Sequence, residues 1–287
     1  MKDLLTHLGC SRQAMHQGYR RMQQLSTDVA KTVELATAVR KDHPGMCSRD
    51  MYYCERINMP RGRDWTEQTL LDHGFALQRR SKSFTQAGTN FKENLIEGMP
   101  VTGPNQLWQT DITYVWAGKR WYYASFMLDV FNRKIIAVHL SKNLGSQSQL
   151  ELVKKAVKTC SKQALKHLII HTDRGTQYTS DAYGQWLSKK GIRLSMARYA
   201  YENAYCERVH RTIKHNYLQY YTYNTFEQLQ SRLKKAVTMY NTSKPHRSLP
   251  NRLSPNTFEQ EYIQGKYNDY SVKIWSKLTS TKQLIIN

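Results

Sequence analysis

Three carboxylates are placed where metal-dependent phosphate chemistry would need them. Asp111 lies in a stretch with period-two alternation, Asp173 follows the short apolar stretch 167–171, and Glu207 lies in a segment with helical spacing. Cleavage and transfer of a phosphodiester build negative charge that two Mg²⁺ ions, roughly 4 Å apart, can stabilise. Mg²⁺ prefers hard oxygen ligands, so a few carboxylates converging at strand ends suffice. The three acids are therefore candidates for such a site.

The elements that must position these acids follow from hydrophobic periodicity. Residues 107–115 alternate with period two and predict a strand, whereas the spacing of Leu150, Val153 and Ala156 predicts a helix. The order of three strands, helix, strand, helix, strand, helix is expected for a ribonuclease-H-like α/β fold, a mixed five-stranded sheet flanked by helices. The predicted strands are 107–115, 121–130, 134–140, 167–171 and 192–196, and the predicted helices are 147–165, 180–189, 202–218 and 226–240.

The N-terminal region is predicted to be all-helical and to bind DNA. Residues 2–24 suggest two short helices around a turn at Gly9, with Ser11 capping the second. This resembles a helix-turn-helix, and an ordinary helical hairpin remains open as an alternative. Candidate DNA contacts on the second helix are Arg12, Arg20 and Arg21, and its predicted inward residues are Ala14, Met15, Tyr19 and Met22.

Four regions are expected along the chain. Residues 1–26 form the helix-turn-helix-like segment, and residues 27–99 form a helical region, with helices near 28–40, 48–58 and 66–73, followed by a basic linker. A boundary near Met99 opens the catalytic core at 100–265. Residues 266–287 form a tail to which no role is assigned.

The formal charge of +21 indicates a polyanionic partner, and nucleic acid comes first. Residues 1–99 carry 15 basic and 11 acidic residues, whereas residues 100–287 carry 28 and 11, so the later region dominates the charge. The five cysteines are scattered and show no zinc-ligand spacing. The absence of an apolar leader or membrane-length segment predicts a cytoplasmic protein without a membrane partner.

Several motifs in fixed order carry a family resemblance over about residues 100–262. The chain resembles transposases of the insertion-sequence-3 family, within the retroviral-integrase-like superfamily. The matching segments are Trp108-Gln109-Thr110-Asp111-Ile112-Thr113-Tyr114, His171-Thr172-Asp173-Arg174-Gly175-Thr176-Gln177-Tyr178, Asn203-Ala204 with Glu207, and the C-terminal series Asn241, Pro245-His246, Leu249 and Ser254-Pro255.

The resemblance implies a DDE-type DNA transposase that cleaves element ends and transfers the freed 3′-hydroxyl into target DNA. Asp111, Asp173 and Glu207 would be its catalytic residues and the ligands of two Mg²⁺ ions, with Mn²⁺ able to substitute. Double-stranded DNA would be the substrate, and work on paired ends implies a homodimer or larger assembly. The candidate DNA contacts of the core are Arg174, Arg208, His210, Arg211 and Lys214.

The chain departs from the family pattern in two places. Only 33 residues separate Asp173 from Glu207, about two fewer than is usual in the family, and Tyr201-Glu202-Asn203-Ala204 replaces the more familiar Tyr-Asp-Asn-Ala. Glu202 is an alternative third ligand on another helical face. Asp129 is interpreted as structural. Tyrosines interleaved with cations over 199–223 suggest contact with DNA near the cleaved end. The alternatives are a non-catalytic, domesticated DNA-binding protein and a ribonuclease-H-like nuclease.

Overall fold

The computed structural model describes residues 11–77 and 92–275 and divides the chain into two compact units, Met1–Arg80 and Ser81–Asn287. No helix among the described residues is long and apolar enough to cross a bilayer.

The first unit is helical, as predicted. Its helices are α1 (Arg12–Asp42), α2 (Ser48–Cys54) and α3 (Arg63–Asp72). Its small apolar core consists of Ala36, Val39, Met46, Met51 and Leu70. The core is apolar enough to dock three helices but reaches only the second half of α1.

Helix α1 corrects the predicted division of the N-terminal region. The Ser11 hydroxyl caps it by accepting the N–H of Ala14, as expected, but the helix then continues without a break past residue 26. No proline or glycine lies between Gly18 and the helix end to interrupt the backbone hydrogen bonds. The Thr27 hydroxyl donates to the Gln23 carbonyl, so this residue is also accommodated within the helix. The predicted first helix and its turn at Gly9 lie outside the described residues.

The first half of α1 is solvent-exposed, which contradicts the predicted inward face. Ala14, Met15, Tyr19 and Met22 are all exposed, because the small core of this unit begins only at Asp28 and Thr32. Helical spacing identified an apolar side of the helix correctly, but within the described residues nothing packs on it.

The second unit is built on a five-stranded sheet in the order β4-β3-β2-β5-β6. Strands β2, β3 and β4 are antiparallel neighbours, and β2, β5 and β6 run parallel. Its elements are β1 (Pro100–Val101), β2 (Leu107–Ala117), β3 (Arg120–Asp129), β4 (Ile135–Ser141), α4 (Ser146–Val157), α5 (Lys162–Leu165), β5 (Ile169–Thr172), α6 (Asp181–Lys189), β6 (Arg193–Met196), a 3₁₀ turn (Ala200–Asn203), α7 (Ala204–Ile213), a π-helical turn (Lys214–Leu218), α8 (Phe226–Thr242), a 3₁₀ turn (Pro250–Arg252), α9 (Pro255–Ile263) and β7 (Val272–Lys273).

Helices cover both faces of this sheet. On one face, Phe126 and Val115 pack against α7 and α8, and on the other, Trp108 and Ile170 pack against α4 and α6. Successive side chains of β2 therefore point alternately into the two cores, which explains the period-two pattern of the sequence. The sheet order, the mixed strand directions and the helical layers confirm the predicted ribonuclease-H-like α/β fold.

Two predicted helices are subdivided. The segment 147–165 forms α4 and α5, because the Ser161 hydroxyl accepts the N–H of Ala164 and starts a new helix. The segment 202–218 passes from a 3₁₀ turn through α7 into the π-helical turn.

The ends of the second unit extend beyond the predicted 100–265 core. Ile96 packs in an apolar cluster with Phe131 and Phe258, and β7 pairs antiparallel with β1. The predicted boundary near Met99 therefore lies within a compact unit, and the first ten residues of the predicted tail are part of its packing.

Candidate active site

Asp111 of β2 and Asp173, the residue after β5, lie at the same edge of the sheet. The register of β2 against β5 pairs Thr110 with Thr172, so the next residue after each of them is an aspartate. Asp111 Oδ1 accepts the N–H of Ile112 at 2.7 Å. Asp173 Oδ1 accepts the N–H of Gly175 at 3.1 Å. Each carboxylate is thus oriented by its own backbone.

Glu207 is brought to the same edge by two amide side chains. Gln109 on β2 donates to the carbonyl of Glu202 and accepts the N–H of Cys206. Asn203 donates to the carbonyl of Thr110, directly beside Asp111. These buried hydrogen bonds hold the start of α7 onto β2. Glu207 itself is exposed on the first turn of α7.

The three acids share an electrostatic environment. The pKa of Asp111 is raised to about 8: burial is the largest cause, the charges of Asp173 and Glu207 act in the same direction, and the Ile112 N–H and the charge of Lys214 oppose the rise. Burial also raises the pKa of Asp173 and of Glu207, and the charge of Asp173 adds to the rise at Glu207. Asp111 is thus the acid whose pKa depends on both of the others.

The carboxylates fit a hard divalent cation by their chemistry but do not form a converged set in this structure. Within the described residues, no group of three or more His, Cys, Asp or Glu side chains is arranged to hold a metal ion. The local backbone contacts of Asp111 and Asp173 account for this, since each turns an oxygen toward its own chain. A cation would remove the repulsion that raises their pKa values.

Two cations lie near Glu207: Arg211 in α7, and Lys214 at the start of the π-helical turn that follows it. Lys214 is half-buried, and burial lowers its pKa while Asp111 opposes that change. Arg211 is exposed, and its charge lowers the pKa of Glu207 against the effect of burial. Spacings of four and three residues place Glu207, Arg211 and Lys214 on one side of the helix.

His210 does not belong to that exposed side. Its ring is buried against Phe126, with centroids 5.3 Å apart, and its Nδ1 lies 3.3 Å from Asp111 Oδ2. Burial, reinforced by Lys214, lowers the pKa of His210 to about 3. A neutral interior imidazole is a poor phosphate ligand, so the prediction that His210 contacts DNA is corrected: it contacts the first aspartate instead.

The other candidate DNA contacts lie in different surroundings. Arg174 donates from Nε to the carbonyl of Ala197 and so links the loops after β5 and β6. Arg208 is exposed on a different side of α7. Arg12, Arg20 and Arg21 are exposed on α1, where helical periodicity points them in different directions rather than along one face.

The motif residues that surround the acids have structural roles that spacing alone did not reveal. A Cβ at Gly175 would lie 2.5 Å from Gln177 Oε1 and 3.1 Å from Asp173 Oδ1. The glycine therefore leaves room for the second aspartate. From the sequence, Gln109 and Asn203 could be recognised as members of the family motifs, but their hydrogen bonds between β2 and α7 could not be predicted.

Asp129 is structural, as interpreted. Its two carboxylate oxygens accept the N–H groups of Asn105 and Phe131. Glu202 is also engaged elsewhere, since its Oε2 accepts the N–H groups of Arg198 and Tyr199. Neither residue competes with Glu207 for the site.

The fold and the matching family models together define a polynucleotidyl transferase of the integrase-core class. Two models described as integrase core domain match residues 101–201 and 190–255. The transposase for insertion sequence element IS904 of Lactococcus lactis is 33% identical over 62% of this chain and 72% of its own. An IS600 protein of Shigella sonnei is 30% identical over 66% of this chain and 72% of its own. Transposase InsF for IS3A of Escherichia coli is 31% identical over 46% of each chain. The chain belongs to the insertion-sequence-3 family of DDE transposases.

Similar solved structures include the catalytic core domains of two retroviral integrases. The HTLV-2 integrase core, in complex with magnesium, has a TM-score of 0.42 and 18% identity and covers 58% of this chain and 99% of its own. The BIV integrase core has a TM-score of 0.41 and 16% identity and covers 57% of this chain and 99% of its own.

Proposed function

We propose that this transposase cleaves the ends of its element and transfers the resulting 3′-hydroxyl into target DNA in a Mg²⁺-dependent reaction. The observation that carries the proposal is the register of β2 against β5, which brings Asp111 and Asp173 to one edge of the sheet, where Asn203 ties the start of α7 to β2. These three residues would hold two Mg²⁺ ions, or Mn²⁺ in their place. The ions would supply charge stabilisation for the attacking and leaving oxygens.

The protein's own groups orient the site. The Gln109 and Asn203 amides hold α7 at β2, and the Gly175 N–H fixes one oxygen of Asp173. The neutral ring of His210 packs beside Asp111, with Nδ1 3.3 Å from Oδ2. Partners of this kind around metal-binding carboxylates tune their orientation and affinity.

Lys214 and Arg211 bind the DNA backbone in this proposal. Both lie on the side of α7 that carries Glu207, so a phosphate held there would lie next to the carboxylates. Arg208 and Arg174 are proposed as further contacts of the core, and Arg12, Arg20 and Arg21 as contacts of α1.

The proposed substrate is double-stranded DNA, both element ends and target, bound by a homodimer or larger assembly on paired ends. The excess of basic residues after residue 100 supports a polyanionic substrate. The place of action would be the bacterial nucleoid.

The test is strand transfer on a duplex with the DNA that flanks the gene, in Mg²⁺, in Mn²⁺ and in EDTA. Asp173→Asn should abolish both cleavage and joining, while Asp269→Asn, at an exposed position, should leave them unchanged. Glu207→Gln should behave as Asp173→Asn does, and Glu202→Gln should retain joining. Equal activity of Asp173→Asn and the parent protein would refute the proposal.

A further inference from the structure

A cleft of about 410 Å³ lies on the other side of α7 from the acids. It is bounded by Tyr205 and Arg208 of α7, by Arg133 after β3, by His246 and by the segment 273–275. The volume is within the range of about 300–1,000 Å³ that is typical of small-ligand sites. A single nucleotide is of suitable size for such a space.

Helix geometry separates the cleft from the active site while keeping the two close. Glu207 and Arg208 are consecutive, so their side chains point about 100° apart around the helix. The width of a helix with its side chains is about 10 Å, which corresponds to roughly three nucleotides at about 3.4 Å each. One DNA strand could therefore contact both sides of α7.

Aromatic rings line the cleft. Tyr201 and Trp275 are in edge contact with centroids 4.9 Å apart, and they are 45% and 49% exposed. Tyr199 stacks on Tyr201 at 5.3 Å with the planes 10° apart. The Arg133 guanidinium lies 4.2 Å from the Tyr205 ring and fixes its orientation. Large aromatic surfaces held in place but left in water are typical stacking platforms for bases.

Positive charge accompanies these rings. Within the described residues, the structure records no hydrogen bond or ion pair for the Arg208 or Lys273 head groups, and both side chains line the cleft. His246 is held neutral, because burial lowers its pKa well below the usual value and Lys244, Arg133 and Arg208 add to that effect. The cleft therefore concentrates cations that its own residues do not neutralise.

Two acids also line the cleft. Glu97 lies 3.8 Å from Arg198 Nη1, and Glu202 accepts the N–H groups of Arg198 and Tyr199. The lining carries three cations, Arg133, Arg208 and Lys273, against these two acids, so a negatively charged group is favoured near Arg208 and Lys273.

We propose that this cleft binds one unpaired nucleotide of the DNA substrate, with its base against Tyr201 and Trp275 and its phosphate at Arg208 and Lys273. The base must be unpaired because a duplex covers the ring faces that aromatic side chains contact. The proposal rests on the proposed function only in that DNA is the ligand. It adds a binding site that is distinct from the acids.

The test compares the affinity for a blunt duplex with the affinity for the same duplex bearing a single-stranded extension of about three thymidines, by fluorescence anisotropy in EDTA. The extension should strengthen binding by about tenfold. Tyr201→Ala and Lys273→Gln should each remove this gain while leaving affinity for the blunt duplex within about twofold. Tyr220→Ala, at a 43% exposed tyrosine outside the cleft, is the matched control and should retain the gain.

The outcomes separate this proposal from the proposed function. If the extension still strengthens binding in Tyr201→Ala, or if Tyr220→Ala removes the gain equally, the cleft does not bind the unpaired nucleotide and the proposal is wrong. An equal loss of affinity for blunt and extended DNA in Lys273→Gln also contradicts the proposal, since Lys273 would then be a general phosphate contact. Asp173→Asn should keep the gain without any strand transfer. A parent protein that shows the gain but joins no DNA supports the cleft and refutes the proposed chemistry.

Discussion

The Nδ1 atom of His210 lies 3.3 Å from Oδ2 of Asp111, on the same helix that carries Glu207. The imidazole is buried, and burial together with the charge of Lys214 lowers its pKa to about 3, so it is neutral. The helix that carries Glu207 therefore also places an uncharged polar ring beside Asp111.

Replacing this histidine should weaken the site without unfolding the protein. His210→Phe keeps an aromatic ring against Phe126 but removes the polar ring nitrogen that lies 3.3 Å from Asp111 Oδ2, so Mg²⁺ affinity and strand transfer should each fall by about 10–100-fold. Isothermal titration with Mg²⁺ and a joining assay measure the two effects. His215→Phe, at an exposed position one turn later, is the control. Unchanged metal affinity in His210→Phe would contradict this role.

Asp111→Asn should stabilise the metal-free protein in a pH-dependent way. The folded-state pKa of Asp111 is raised to about 8, so its contribution to stability is complete below the unfolded value near 4 and is lost as pH rises through 8. The asparagine avoids that loss. The gain in Tm should be small at about pH 5 and should reach several degrees above about pH 8.

Thermal unfolding in EDTA across this pH range measures the gain. Asp269→Asn, on the surface, should show no such trend. Mg²⁺ should stabilise the parent protein and not Asp111→Asn. A gain that is independent of pH would indicate a packing effect rather than removal of a charge.

Gly175→Ala should impair catalysis far more than folding. The added Cβ would meet the flexible Gln177 side chain and would lie 3.1 Å from Asp173 Oδ1, which must then shift. Displacement of a catalytic group by less than 1 Å can cost about 100-fold in rate. Gly184→Ala is the matched control, because its Cβ meets nothing within 4 Å and it lies inside α6. That change should stabilise the protein by about 0.5–1 kcal/mol with full activity. The measurements are the strand-transfer rate and the urea unfolding curve of each variant. A similar fall in rate for both variants would contradict the role of Gly175.

Gln109→Met should lower both stability and activity. It removes the acceptor of the Cys206 N–H and the donor to the Glu202 carbonyl at a fully buried position, so unfolding should become easier by about 2–4 kcal/mol. Gln147→Met, on the exposed surface of α4, should change stability by less than about 0.5 kcal/mol. Equal denaturation midpoints for the two variants would show that α7 is held by apolar packing alone.

The strands could be predicted from the sequence because the sheet separates two cores. Trp108 and Val115 face opposite helical layers, so the period-two alternation of β2 follows from the two cores on either side of the sheet. The strand β7, two residues long, carries no such pattern, and its pairing with β1 depends on tertiary contacts. The same limit explains why residues 92–99 were assigned to a linker.

The sequence predicted the acidic residues of the candidate site but not the side chains that surround them. Asp111 and Asp173 follow from strand positions and motifs, whereas the burial of His210 depends on how α7 rotates against β3, which helical spacing alone does not fix. On α1, Met15 and Tyr19 show the reverse error. Apolar spacing there predicted a buried face, and the described residues leave that face in water.

The pairing of β1 with β7 has a consequence for how the chain folds. The cluster that contains Phe131 and Phe258 also includes Val101, Val272 and Ile274, so it remains incomplete until residue 274 is available. Contacts between such distant residues form slowly, and the exposed aromatic surface is prone to association in the meantime. A fragment that ends at residue 265 would keep that surface permanently, and soluble expression of the catalytic unit should require residues 92–275.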